Sequence, residues 1–199
     1  MRNILISIKP EHCCNILNKD KILEIRTTCP MEWKKYLDGK TSIKPEPCKV
    51  YIYETKAKWF KPYHNSYINK TNYLEYEGRG KIIAEFILNE VEKLENTILP
   101  TIPTCVYLTK TKRYASAVEK ASCLSQDKIY TYLRGRDGYA WHIDDLITYD
   151  KPKELSEFSV YDKTYDNVGA FGWVFPEEQK YTPLKRPPQS WCYVEEKGE

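Results

Sequence analysis

The sequence predicts an α+β fold in which sheet dominates the first half and short helices enter later. Three observations carry this expectation: apolar side chains alternate with period two from the first segment onward, proline and hydroxyl signals mark short helices, and two long aromatic-rich stretches follow neither period. The length of 199 residues suits one well-buried core. A single domain over 1–199 is therefore expected, with loop insertions at about 56–79 and 160–186.

The opening ILISIK alternates Ile4, Ile6 and Ile8 against Leu5, Ser7 and Lys9, the pattern of a strand with one strongly apolar face. Pro10 ends that strand and suits a helix's first turn, so PEHCCNILN reads as a short helix packing Cys13, Ile16 and Leu17, closed by a polar NKDK turn. Strands follow at 21–28 (KILEIRTT), at 49–55 (KVYIYET) and at 80–92 within GKIIAEFILNEVEKLE. Ser116 and Glu119 have the spacing of a capping box in YASAVEKAS. Ser125 can cap a second helix, SQDKIYTYLRG, in which Ile129 and Leu133 share a face and Gly135 sits where a helix ends. GYAWHIDDLITYD returns to strand, KPKELSEF turns, and SWCYVEE supplies a last strand at 190–195. The alternation of these six strands requires a common core, so one curved barrel is expected.

Composition narrows the functional classes. With 31 basic and 28 acidic residues the net charge is +3, so any basic site is local and bulk attraction to nucleic acid is excluded. The 17 Tyr and 5 Trp suit half-buried sheet faces and base stacking equally well. No apolar run approaches the roughly 18 residues of a membrane helix, and MRNILISIKPEH lacks a signal peptide's apolar core; a cytoplasmic location is expected. Seven cysteines, an odd number without a secretory signal, read as reduced thiols. Without a CxxC pair, and with His12, His64 and His142 scattered, neither a metal nor another cofactor is expected.

The segment NKDKILEIRTT places Lys21, Glu24 and Arg26 among aliphatic residues. Strict alternation puts Ile22, Glu24 and Arg26 on one face and Lys21, Leu23 and Ile25 on the other, so Lys21 joins the pair only where twist or a bulge redirects it. The plain structural reading is an exposed edge of ion pairs contributing roughly 0–1 kcal/mol each. Ser7 and Lys9 share a face of the first strand. RPPQSWCY combines Gln189 and Ser190, which hydrogen-bond, with Trp191, which can stack; its plainer reading is a strand start whose Trp191 and Tyr193 face the core.

The order SIKPEH, NKDKILEIR, WHIDDLITYDKPKELSEF, RPPQSWCYVEE resembles ASCH-domain proteins, especially small ones of bacteria and their phages, over roughly half the chain. NKDKILEIR is similar to that family's G-x-K-x-x-E-x-R pattern, with Lys21, Glu24 and Arg26 at the three charged positions and Asn18 or Lys19 near the glycine's place. The resemblance implies a PUA-like mixed β-barrel with short flanking helices and a cleft for RNA or a modified nucleoside. Ser7, Lys9, Lys21, Glu24, Arg26, Gln189, Ser190 and Trp191 are the candidate binding residues. Some similar proteins are amidohydrolases that deacetylate N4-acetylcytidine with a threonine, a lysine and a glutamate. Here Lys21 matches the lysine while Glu24 stands where the threonine would lie, so Lys21 and Glu24 are catalytic candidates only if the chain is an enzyme for an N4-acylated cytidine-type nucleoside. A third reading is a protein–protein adaptor whose aromatic loops form an apolar patch for a protein partner.

Overall fold

The computed structural model describes residues 2–65, 70–99, 102–108, 115–161 and 181–197. In chain order the elements are β1 (Asn3–Ile8), α1 (Pro10–Leu17), β2 (Leu23–Arg26), α2 (Met31–Leu37), β3 (Cys48–Glu54), β4 (Lys58–Asn65), β5 (Lys70–Glu77), β6 (Ile82–Leu88), β7 (Val91–Leu99), β8 (Ile102–Leu108), α3 (Ala115–Ser122), α4 (Gln126–Leu133), β9 (Gly138–His142), β10 (Asp144–Lys153), a 3-10 turn (Leu155–Glu157), β11 (Phe158–Tyr161), β12 (Tyr181–Pro183) and β13 (Trp191–Glu196). The described residues make an α+β protein, mostly sheet with four short helices among them. The chain packs as two compact units built from interleaved segments. One holds Glu11–Cys48 and Phe86–Leu146; the other holds Arg2–Pro10, Lys49–Glu85 and Ile147–Glu199.

The first unit contains a four-stranded sheet in the order β2-β9-β7-β8. One face carries Leu23, Ile25, Leu94 and Ala140, which pack with Val118 and Ala121 of α3 and with Ile129 and Leu133 of α4. The helix signals hold in part. Ser125 caps α4 by accepting from the Lys128 N–H, and the helix ends through Arg134 at φ 54° and Gly135 at φ 68°. Ser116, by contrast, lies inside α3, and the Glu119 carboxylate accepts from the Gln126 N–H at 2.8 Å, so it serves the next helix's first turn instead of a capping box of its own. The helix α2, which the apolar pattern does not announce, buries Trp33 completely.

The second unit is built around a seven-stranded sheet in the order β10-β6-β3-β1-β13-β11-β12. Strand β1 is central, parallel to β3 and antiparallel to β13, and is buried on both faces. Its core includes Leu5, Tyr51, Tyr53, Ile82, Phe158 and Val194. The sheet is strongly rolled. From β10 to β13 is four strand steps, about 19 Å if flat, yet Lys153 of β10 ion-pairs with Glu196 of β13 and its Nζ lies 5.7 Å from the Tyr51 ring.

Several sequence expectations change. The six expected strands divide between two sheets, because β2 pairs with β9 and β9 in turn with β7. The 80–92 segment breaks into β6 and β7, and 138–150 breaks at Ile143 into β9 and β10. The 56–79 stretch contains paired strands, not a loop, in register from Lys58↔Glu77 to Asn65↔Lys70. Pro62 lies within the first of them; a two-stranded ribbon consists of edges, where a missing N–H is tolerated. In the 160–186 stretch the ends pair as β11 and β12; residues 162–180 lie outside the described residues.

The turn after β5 offers a test of packing. Gly78 donates to the Ala57 carbonyl at 3.1 Å, and an added Cβ there would run into the Thr55 carbonyl oxygen and lie 2.7 Å from Pro10 Cγ. Gly78→Ala is expected to lower stability by about 1–3 kcal/mol, the usual cost of overpacking. A urea midpoint equal to wild type would show that the turn moves aside freely.

Candidate functional site

The site starts at the end of α1. Asn18 N–H donates to Cys14 O, Lys19 adopts φ 64°, and the N–H groups of Asp20 and Lys21 both donate to Asn15 O at 2.9 and 3.0 Å. The left-handed residue is thus Lys19, in the neighbourhood where the ASCH pattern places glycine, the residue that adopts this conformation without steric cost. Residues 21 and 22 precede the regular strand. Ile22 donates to Ala121 O at 2.8 Å and accepts from Ile143 N–H at 3.1 Å, which leaves its side chain 46% exposed and Lys21 1% exposed.

This irregular approach brings Lys21 to the other two charges. Its Nζ donates to Ser122 O at 2.8 Å and stands 3.2 Å from Glu24 Oε2. Arg26 Nη2 stands 3.0 Å from Glu24 Oε1. The separation of Lys21 by strict alternation does not apply, because position 21 lies before β2 begins. The exposed-edge reading is corrected too: all three side chains are buried. Taking ions out of water costs several kcal/mol each, and mutual pairing is what makes their burial tolerable. Burial opposes the charge on Glu24, but the neighbouring Lys21 and Arg26, helped by His12, outweigh it and hold its carboxyl below the ordinary carboxylate value. The result is a fixed anion between two cations, a good hydrogen-bond acceptor and a poor base.

Cross-strand register adds residues that sequence reasoning missed. Glu24 is opposite Trp141 and Arg26 is opposite Tyr139 on β9, while Trp141 is opposite Val91 and Tyr139 opposite Lys93 on β7. Directly opposed residues share a face. Glu24, Arg26, Trp141 and Tyr139 therefore lie on the face away from the α3–α4 core. Trp141 is fully buried and Tyr139 half-buried. Neither pairing has a signature in a single sequence, since sequence separation of over a hundred residues intervenes.

The other candidates belong to the second unit. Ser7 is buried and its hydroxyl donates to Pro188 O at 2.6 Å, while its N–H donates to Ser190 O at 2.9 Å. Ile6 is opposite Trp191 in the β1–β13 ladder. Lys9 and Gln189 are exposed; Ser190 and Trp191 are half-buried. Trp191 packs edge-on against Tyr193 at 5.5 Å, and both rings are half-buried, not deep in the core. The structure thus gathers Lys21, Glu24 and Arg26 in one unit and Ser7 with the 188–191 segment in the other.

The architecture is α+β, with a buried charged triad on and just before its second strand. It is the ASCH fold: a crystal structure of ASCH from Zymomonas mobilis is similar to this chain at a TM-score of 0.51 and 15% identity, covering 98% of this chain and 88% of that one. Structures of two single-residue variants of the Zymomonas mobilis protein match at a TM-score of 0.50 and 15% identity, again over 98% of this chain and over 89% and 91% of theirs. No protein-family profile and no curated protein sequence matches the chain. No helix among the described residues is long and apolar enough to cross a membrane.

Proposed function

We propose that the chain binds RNA or a modified nucleoside, with the Lys21–Glu24–Arg26 centre as the reading head. The observation that carries this is a buried carboxylate shared by two cations, set on a fold whose PUA-like relatives generally bind RNA. Glu24 accepts from a base amino group, and Arg26 donates to an adjoining base acceptor or phosphate. Lys21, tied to Ser122 O and Glu24, positions the carboxylate. The second unit by itself carries a separate candidate surface, in which Lys9 and Gln189 are exposed, Trp191 offers a ring, and Ser7 ties down the 188–191 segment through the Pro188 and Ser190 carbonyls. The rolled seven-stranded sheet is in keeping with the mixed barrel of the PUA-like class.

The amidohydrolase reading has less support. A general base works best with a pKa near the working pH, and Glu24 is held on the acidic side of an ordinary carboxylate. The adaptor reading rests on aromatic stretches whose side chains lie largely outside the described residues.

Anisotropy titrations of a labelled single-stranded RNA at several salt concentrations test the proposal. Arg26→Ala is expected to weaken binding about tenfold or more, and to lower the salt slope by about one if it meets phosphate. Lys151→Ala, at an exposed position, is the charge-matched control; Lys153 does not serve, since it is engaged with Glu196 and the Tyr51 ring. Equal affinity for wild type and both variants would overturn the reading.

A further inference from the structure

Three adjacent strands align Arg26 of β2, Tyr139 of β9 and Lys93 of β7 in one cross-strand row. Directly opposed positions share a face with Cβ atoms about 4.5–5.5 Å apart, so an aromatic ring stands between two cationic side chains. The row grades outward. Arg26 is buried beside Glu24, Tyr139 is half-buried, and the Lys93 side chain is 37% exposed. The next row, Glu24–Trp141–Val91, is buried, and the opposite face of the sheet is filled by the apolar cluster under α3 and α4.

We infer that the Arg26–Tyr139–Lys93 row is a platform for single-stranded RNA, so that the ligand of the triad is a nucleotide within a strand and not a free nucleoside. This rests on the RNA-binding reading above and narrows it. A base held at Glu24 and Arg26 leaves its neighbour in the strand over Tyr139, where any base can stack because every base has a π-face. The phosphate beyond it meets Lys93. Lys93 now pairs with Glu95 and Asp137, each at 3.4 Å, and all three are partly exposed. Ion pairs of this kind are worth roughly 0–1 kcal/mol, so exchanging a carboxylate for a phosphate is inexpensive. A duplex does not suit the row, because stacking on a side chain requires an unstacked base.

The test compares a labelled single-stranded oligocytidylate RNA with free cytidine, and repeats both with the other three bases, on wild type, Tyr139→Leu, Tyr139→Phe and Lys93→Gln. Wild type is expected to bind at least one oligomer about tenfold or more tighter than its matching nucleoside. Tyr139→Leu is expected to abolish that advantage and Tyr139→Phe to keep it, since the ring and not the hydroxyl stacks. Lys93→Gln is expected to lower the salt slope of oligomer binding by about one. Retention of the fold by Tyr139→Phe keeps the comparison open should the leucine variant unfold, because loss of the advantage in a folded Tyr139→Phe protein would itself overturn the stacking role. Nucleoside and oligomer binding with equal affinity, or an oligomer advantage indifferent to Tyr139 and Lys93, overturns the platform while sparing the triad. No binding of any of these probes overturns the RNA reading itself.

Discussion

Glu24→Ala is expected to lower stability by about 3–5 kcal/mol, the usual cost of breaking a buried ion pair by removing one partner. At this chain length that corresponds to a fall of roughly 10 °C in Tm. The variant leaves the Lys21 ammonium and the Arg26 guanidinium buried without the carboxylate they share. Thermal melts of wild type and variant check this; a change below about 1 kcal/mol would mean that the cavity fills with water and rehydrates both cations. The complementary variant replaces all three side chains, as Lys21→Met, Glu24→Leu and Arg26→Met together. Removing a buried ionic cluster whole is often neutral or stabilising. If this triple variant is as stable as wild type and no longer binds RNA, the triad is retained for recognition and not for folding.

The same group gives a pH dependence with a definite sign. The Glu24 carboxyl is held below its ordinary value in the folded protein, so its contribution is fully present above the unfolded value of 4.5 and is lost as pH falls through the lower folded value. Wild type is therefore expected to lose stability on acidification in that window more steeply than the triple variant.

The elements most legible in the sequence were those whose signals are local. Pro10 starting α1, Ser125 capping α4 and Gly135 following it depend on residues a few positions apart, and each is present in the structure. The charged residues of 21–26 were legible as an anomaly, since charges inside an apolar strand require partners. Their burial was not, because it depends on α3 supplying the Ser122 carbonyl from a hundred residues away. Glu119 shows the same limit at shorter range: its spacing from Ser116 fits a capping box, yet its carboxylate serves Gln126 on the next helix. Tyr139 and Trp141 looked like ordinary strand aromatics until the register of β9 against β2 set them beside Arg26 and Glu24. A single sequence fixes the period of a strand; it does not name the strand's neighbours.

Glu196 links β13 to β10 across the rolled sheet, and Glu196→Ala is expected to cost about 3 kcal/mol. Its Oε2 accepts from the Tyr51 hydroxyl at 2.9 Å, and its Oε1 pairs with Lys153. Tyr51 is fully buried against Phe158, with ring centroids 4.7 Å apart, so its hydroxyl loses a carboxylate acceptor inside the core. Lys153 loses its anion while its ammonium stays over the Tyr51 and Tyr149 rings. The cost therefore divides between the lost Tyr51 hydrogen bond and the lost Lys153 ion pair, and a double-mutant cycle separates them. Pairing Glu196→Ala with Tyr51→Phe removes the first, and pairing it with Lys153→Met removes the second; each pair is expected to be less damaging than the sum of its single changes by about 1 kcal/mol or more. Burial opposes the charge on Glu196, but Lys153 and Tyr51 outweigh it and hold its carboxyl below the ordinary value. Its contribution, like that of Glu24, is present above pH 4.5 and lost on acidification. Hydrogen exchange locates the effect: with Glu196 replaced, amides of β10 should exchange faster than those of central β1, because β10 is the edge strand that the Lys153–Glu196 pair ties to β13. Uniform acceleration across both strands would show that the pair supports the whole sheet and not the β10 edge alone.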